Sequence, residues 1–119
     1  MPVPMQADHL PQSWWETELI WWILVRGVVR QASKAYYKGI DALRPDRLTT
    51  AFCTHLHTDH TAGYADLIFT PWVLERETPL TVFGPKGIRN MTEHIQAAYA
   101  VDIDFRSMDL NVPMRLIIR

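Results

Sequence analysis

Residues 53–63 of this chain, CTHLHTDHTAG, limit its fold and its chemistry more than any other stretch. Three of the five histidines fall within six residues here, and an aspartate lies between the second and the third. The stretch begins at the end of residues 48–53 (LTTAFC), whose β-branched and apolar content is typical of a short buried strand. Four metal-binding side chains in the pattern H-x-H-x-D-H indicate a metal site rather than a polar loop rich in histidine by chance.

The spacing within the motif predicts two pairs of ligands. His55 and His57 are two residues apart, so an extended backbone points both imidazoles to the same side. Asp59 and His60 are adjacent and diverge unless the chain turns there, and Gly63 then permits a close backbone approach at the start of a predicted helix. Two displaced pairs suit two metal ions, which lie about 3.5–4 Å apart in hydrolytic sites. Imidazole and carboxylate ligands without thiolate fit zinc, manganese or iron.

Composition limits the remaining possibilities. A chain of 119 residues is one domain at most and is long enough to bury a core. Its 48% apolar and 21% charged residues exclude a disordered profile. A net charge of −1 gives no bulk signal for a nucleic-acid or membrane partner, and the single Cys53 excludes an internal disulfide framework.

Helix and strand patterns alternate after Gly27 and predict an α/β fold with a layered sheet. The first helix has an apolar stripe and ends at Gly39, which occupies the C′ position. Residues 80–83 (LTVF) predict a second strand, and a turn leads from it into a helix over residues 87–100. The stripe of the first helix consists of Val28, Val29, Ala32, Ala35 and Tyr36.

Three further features have an ordinary and a functional interpretation. A basic row recurs at every fourth residue of the first helix, and we favour a solvated face over a surface that tracks phosphates. The turn FGPKG at residues 83–87 favours a strand-to-helix connection over a phosphate contact through Lys86. Trp72 favours a core or interface position over a substrate platform. The basic row consists of Arg26, Arg30, Lys34 and Lys38.

The N-terminal segment, residues 1–26, is rich in proline and tryptophan. Its apolar run at residues 19–25 has seven residues, and this length favours a buried strand over an interfacial patch. The run is too short to span a bilayer, for which about 20 residues are needed. Residues 1–13 contain no basic residue, so no signal peptide is visible and a cytoplasmic location is favoured. Four of the five tryptophans lie in this segment, at Trp14, Trp15, Trp21 and Trp22.

The motif HLHTDH at residues 55–60 resembles the signature of the metallo-β-lactamase-fold hydrolases. Residues 59–76 (DHTAGYADLIFTPWVLER), 80–87 (LTVFGPKG) and 91–99 (MTEHIQAAY) resemble the branch that contains ribonuclease Z and its arylsulfatase-like bacterial relatives. The resemblance covers residues 27–106. It implies the layered αββα sandwich of that family, of which this chain would hold the N-terminal half.

The resemblance also implies a function for the motif. His55 and His57 would bind a first zinc ion, and Asp59 and His60 would bind a second, with manganese or iron as alternatives. Asp59 would also transfer a proton from the metal-activated water that attacks the substrate. The substrate would be a phosphodiester, including RNA at the 3′ end of tRNA, or a related ester.

Departures from the family leave two functional hypotheses open. After His60 the chain has one more histidine, His94, which falls off the apolar stripe of its predicted helix and is expected to face solvent. The family's later histidines and bridging aspartate have no counterpart, and residues 1–26 and the divergent tail at residues 107–119 lie outside the partial domain at 27–106. The chain is thus either a metal-dependent hydrolase or a truncated, non-catalytic fragment that binds metal weakly or packs against a partner. Self-association through exposed apolar side chains is expected.

Overall fold

A single parallel sheet forms the centre of the computed structural model, which describes residues 24–119. Its strands are β1 (Thr50–Phe52), β2 (Leu80–Phe83) and β3 (Leu116–Ile118), in the order β1-β2-β3. β2 pairs in parallel with both neighbours. The predicted α/β class is therefore confirmed, and the four-layer sandwich stays a prediction.

Helices provide the crossover connections that parallel strands require. Two helices lie between β1 and β2, and two lie between β2 and β3. Short 3₁₀ turns at Asp41–Leu43 and Pro45–Arg47 lead from the first helix into β1. The helices of the described residues are α1 (Val28–Tyr37), α2 (Thr58–Thr61), α3 (Tyr64–Val73), α4 (Ile88–Ala98) and α5 (Ala100–Asp109).

Helix α1 forms and ends as its sequence predicts. Val28, Val29 and Ala32 of the apolar stripe are buried in the core. Gly39 has a φ of 104° and donates its backbone N–H to the carbonyl oxygen of Tyr36 at 2.9 Å. The next N–H, of Ile40, reaches back to the carbonyl of Ala35 at 3.2 Å, which completes a Schellman motif.

The core lies between the sheet and helices α1 and α3. Trp72 on α3 is 1% exposed, which confirms the core interpretation of this residue. Its indole Nε1–H donates to the carbonyl oxygen of Val112 at 2.8 Å and thereby ties the segment before β3 to the core. Buried members from the sheet and α3 include Ala51, Leu67, Ile68, Leu80 and Val82.

Arg76 is a buried cation at the end of α3. It is 3% exposed, and burial lowers its pKa to about 10. Its guanidinium donates to the backbone carbonyls of Leu48 at 3.3 Å, Leu67 at 3.1 Å and Ile68 at 3.1 Å. These three bonds connect α3 to the segment that enters β1.

Three predicted elements differ from the structure. Of the strand predicted at residues 19–25, Leu24 and Val25 belong to no strand, and the other residues lie outside the described part of the chain. The tryptophans at Trp14, Trp15, Trp21 and Trp22 also lie outside it. β1 is shorter than predicted, because pairing with β2 ends close to Phe52. Ala98 is exposed and ends α4, and a new helix begins at Ala100. None of the helices within residues 24–119 combines the length and the apolar character needed to cross a membrane.

Candidate metal centre

The motif lies at the carboxyl end of β1. His55 and His57 are in the loop that follows the strand, and Asp59 and His60 are on the short helix α2. The two pairs thus occupy the two positions that the spacing predicts. The loop histidines lie just beyond the strand and not within it, because β1 ends at Phe52.

Hydrogen bonds of the backbone hold the loop in place. The N–H of Cys53 donates to the carbonyl of Phe83 at 2.8 Å, so the chain stays beside β2 for one residue after β1 ends. The buried Cys53 thiol donates to the carbonyl of His55 at 3.1 Å, and burial raises the pKa of this thiol. At the start of α2, the N–H of His60 and the hydroxyl of Thr61 both donate to the carbonyl of His57, at 3.0 and 3.1 Å.

Gly63 fixes the end of α2 against the start of the described chain. Its N–H donates to the carbonyl of Leu24 at 2.9 Å. A Cβ at this position would lie 2.0 Å from the carbonyl oxygen of Val25, far inside contact distance. The predicted close approach at Gly63 is therefore confirmed.

The loop between β2 and α4 contacts the middle of the motif. Gly87 has a φ of 102°, and a Cβ there would lie 2.8 Å from the Cδ1 atom of Leu56. Leu56 is partly buried against the core. Because alternate side chains of an extended segment point to opposite sides, Leu56 packs inward while its two histidine neighbours point away from it.

The three imidazoles lie close to one another. The ring of His55 is 4.8 Å from that of His57 and 4.1 Å from that of His60, measured between centroids. The hydroxyl of Thr54 lies 2.9 Å from Nδ1 of His55. Nε2 of His60 lies 3.5 Å from a carboxylate oxygen of Asp59, whose side chain is 77% exposed. All four residues of the motif therefore form one cluster.

The chemistry of this cluster fits a divalent cation. Nδ1 of His60 is buried and has no hydrogen-bond partner within the described part of the chain. Such a group is costly to bury, and a metal ion is one partner that would satisfy it. In a tetrahedral zinc site, with Zn–N of about 2.0–2.1 Å, two imidazole centroids stand about 5 Å apart. The separation of 4.8 Å between His55 and His57 is close to that value.

In their observed orientations, the side chains of the motif do not form a complete metal site. Within residues 24–119, no set of three or more His, Cys, Asp or Glu side chains is arranged to hold a metal ion. The rings of His55 and His60 contact each other at 4.1 Å, which is closer than two ligands of one tetrahedral ion stand. A rotation of one of these rings is therefore needed for the two to act as ligands.

A cleft of about 450 Å³ lies next to the cluster. Asp59 and Thr58 of α2 line it together with Ala62. Val25 and Arg26 form the opposite part of its lining. The sequence pattern gave no indication that Arg26 lies beside the motif, because 33 positions separate it from Asp59 and no local signal connects them.

His94 lies apart from the motif, on α4. It is exposed, and its Nδ1 atom is 2.8 Å from the carbonyl oxygen of Asn90 on the same helix. The prediction that it faces solvent is confirmed.

Known proteins similar to this chain are ribonucleases. The chain is 52% identical over 52 residues to ribonuclease Z of Geobacillus kaustophilus, which covers 44% of the chain and 17% of that protein. It is 34% identical over 94 residues to ribonuclease Z of Mycobacterium marinum, covering 74% of the chain and 32% of that protein. It is 44% identical over 52 residues to ribonuclease BN of Enterobacter sp., covering 44% of the chain and 17% of that protein.

The chain matches only a part of each relative. The chain spans between 17% and 32% of the length of the curated relatives that it matches. No protein-family model and no solved structure matches it. The identities to several ribonucleases Z, together with the position of the motif after β1, support a ribonuclease Z-like family for this chain.

Proposed function

We propose that residues 55–60 form part of the metal centre of a metal-dependent ribonuclease of the ribonuclease Z type. The observation that supports this most directly is the buried, unpartnered Nδ1 atom of His60 inside a cluster of three imidazoles. Similarity to proteins named ribonuclease Z and ribonuclease BN supports RNA as the substrate class. The proposal includes the αββα sandwich, to which the three parallel strands would contribute one sheet.

The motif offers two pairs of ligands. His55 and His57, from the loop after β1, would hold one cation, and Asp59 and His60, from α2, would hold a second. Neutral imidazole and carboxylate oxygen are ligands that zinc accepts, and manganese or iron suits them as well. When bound, such a cation polarises a phosphoryl oxygen and lowers the pKa of water.

The chain's own residues supply the remaining chemistry. The carboxylate of Asp59 is 77% exposed and lines the cleft, and it would accept a proton from the attacking water. Arg26 lines the same cleft and offers a guanidinium to a phosphate group of the substrate. Leu56 lies close to Gly87, and this contact would help to hold the two neighbouring histidines in their orientation.

Isothermal titration with zinc chloride tests the metal centre. The wild-type chain is expected to bind zinc, and His57→Ala and His60→Gln are expected to bind it at least about tenfold more weakly. His94→Ala is the matched control, because it removes an exposed histidine outside the cluster. Equal zinc affinity of His57→Ala and the wild type would refute the assignment.

A second candidate function is metal binding without catalysis. It is favoured by the side chains as they stand, since residues 24–119 contain no set of three arranged to hold a metal ion. A catalytic zinc ion usually has three protein ligands and a water molecule. The ribonuclease proposal requires turnover once each cation has its full set of ligands, whereas metal binding without catalysis predicts no turnover under any condition.

A further inference from the structure

Helix α1 and the residues next to it carry a concentration of positive charge. Residues 25–40 (VRGVVRQASKAYYKGI) contain four basic residues and no acidic one, although the whole chain has a net charge of −1. Arg26, Arg30, Lys34 and Lys38 are all exposed. Like charges at a spacing of four residues disfavour a helix, so the pattern has a cost that an ordinary mixed surface would avoid.

Three of the other arginines in residues 24–119 have a carboxylate partner, which these four cations lack. Arg44 pairs with Asp46 at 2.6 Å, and Arg106 pairs with Asp102 at 3.0 Å. Arg47 pairs with Asp41. Within residues 24–119, none of the four basic side chains on and beside α1 takes part in an ion pair. Their charge is therefore available to an anionic ligand.

The row begins at the candidate metal centre. Arg26 lines the cleft that Thr58 and Asp59 also line. From Arg26 to Lys38 the row extends about 18 Å, at about 1.5 Å per helical residue, and leads away from that cleft. A ligand whose end lies at Asp59 can therefore contact the row along its length.

An exposed aromatic residue lies among these cations. Tyr37 is 85% exposed and follows Lys34 by three residues, so the two side chains are neighbours on the surface of α1. Its ring centroid is 5.4 Å from that of Tyr36. Cations that contact phosphates and aromatic rings on which bases stack are the two elements of single-strand recognition.

We propose that Arg26, Arg30, Lys34 and Lys38 form a track for the phosphate backbone of single-stranded RNA, with Tyr37 as a stacking platform for a base. The inference takes RNA as the substrate class from the proposed function and rests on it in that respect. It identifies the surface that binds the RNA strand outside the metal centre. The track delivers the strand along α1 to the cleft beside Asp59. Binding by the track requires no metal.

Fluorescence anisotropy with a labelled 12-nucleotide single-stranded RNA tests the track, in buffer that contains a chelator and a series of salt concentrations. Four phosphate contacts predict a slope of log K against log salt of about −2.8. Arg30→Gln/Lys34→Gln should reduce that slope by about 1.4 and weaken binding about 25-fold at about 0.1 M salt. Tyr37→Ala should weaken binding and leave the slope unchanged.

A matched control removes the same charge elsewhere. Arg47→Gln/Arg115→Gln acts on exposed side chains that precede β1 and β3, at the opposite end of the sheet from the motif. It should bind RNA with the wild-type slope. Circular dichroism melts of both double variants verify that each is folded, so that a loss of binding reports on the charges.

Two outcomes would overturn the track. The first is RNA binding by Arg30→Gln/Lys34→Gln with the affinity and the salt slope of the wild type. The second is that the wild type binds a glutamate peptide, of the same length and charge as the RNA, with the same affinity as the RNA. That result would assign the row to an acidic protein partner. Two measurements on the wild-type chain separate this inference from the proposed function: RNA binding in chelator, and zinc binding without RNA. Zinc binding without RNA binding refutes only the track, and RNA binding without zinc binding refutes only the metal centre.

Discussion

The backbone N–H of Gly63 donates to the carbonyl oxygen of Leu24 at 2.9 Å, and this bond connects the two sides of the cleft beside the metal-binding motif. Leu24 is fully buried in the core, and Gly63 directly precedes α3. The bond therefore places Val25 and Arg26 beside α2, where they line the cleft together with Asp59. A contact between backbones at this point leaves no space for any side chain.

Gly63→Ala is expected to destabilise the protein by about 1–3 kcal/mol, the usual cost of forcing extra atoms into a packed region. The new Cβ would lie 2.0 Å from the carbonyl oxygen of Val25, so the backbone must move. Thermal melts followed by circular dichroism measure the change. Ala62→Ser, at the exposed neighbouring position, is the control and should change stability by no more than about 0.5 kcal/mol. Equal melting temperatures for Gly63→Ala and the control would contradict this description of the cleft.

Alkaline pH is expected to weaken the contribution of Tyr64 to the stability of the fold. This side chain is fully buried beside the hydroxyl of Thr92, and burial raises its pKa to about 12 from an ordinary value of 10.0. Between pH 10 and 12 the folded state therefore keeps the phenol proton, whereas the unfolded state loses it. The contribution of Tyr64 to the free energy of unfolding is thus fully present below pH 10 and is lost as the pH rises towards 12. The expected loss is about 1.4 kcal/mol per pH unit in that window.

Tyr64→Phe should remove this part of the alkaline sensitivity. Denaturant unfolding at a series of pH values between about 8 and 12 measures it, with Tyr37→Phe at an exposed position as the control. Arg76 acts in the opposite direction, because burial lowers its pKa to about 10 and the unfolded state then binds more protons above that pH. The stability of the wild type relative to Tyr64→Phe should therefore fall between pH 10 and 12, and an equal pH dependence of the two proteins would show that Tyr64 contributes nothing.

The 119-residue chain by itself is expected to hydrolyse bis(p-nitrophenyl) phosphate barely above the background rate of the metal ion alone. The motif supplies two ligands per cation, whereas a catalytic zinc ion usually has three. Because ligands of one catalytic unit act together, the loss of several removes nearly all of the rate. The assay compares the chain with Asp59→Ala in added zinc and in added manganese. Strong metal-dependent turnover that Asp59→Ala abolishes would show that the site is completed in another way.

Self-association is expected from an apolar stripe on α5. Val101, Phe105 and Met108 are 85%, 69% and 81% exposed and recur at the spacing of one helix face. Two copies can cover each other's stripes, so Phe105→Ser/Met108→Ser should lower the apparent mass in size-exclusion chromatography with light scattering. Ser107→Ala, a polar exposed position on the same helix, is the control and should leave the mass unchanged. A wild-type chain that is monomeric at every concentration would exclude this behaviour.

Local patterns predicted the parts of the fold that depend on near neighbours. The stripe of α1 and the C′ position of Gly39 are visible in the sequence because they repeat within a few residues. The close approach at Gly63 and the exposure of His94 were predicted for the same reason. The positions of the four motif residues after β1 agree with their spacing, and their role as ligands stays a prediction.

Features that depend on distant contacts could not be read from local patterns. β3 has three residues and pairs with β2, which lies 36 positions earlier at Leu80↔Leu116, so its pairing has no local signal. Arg76 is buried although charged residues are normally exposed, because three backbone carbonyls surround it. The break between α4 and α5 at Tyr99 has no glycine or proline to announce it.

X-ray absorption at the zinc edge, on the wild-type chain loaded with one equivalent of zinc, tests the metal centre most directly. The proposal predicts a first shell of nitrogen and oxygen at about 2.0–2.1 Å with the multiple scattering of at least two imidazoles. His94→Ala should give the same spectrum, and His55→Ala/His57→Ala should reduce the imidazole scattering to that of one ring at most, from His60. A wild-type spectrum of water or carboxylate oxygens alone, without imidazole, would contradict the assignment of residues 55–60 as a metal centre.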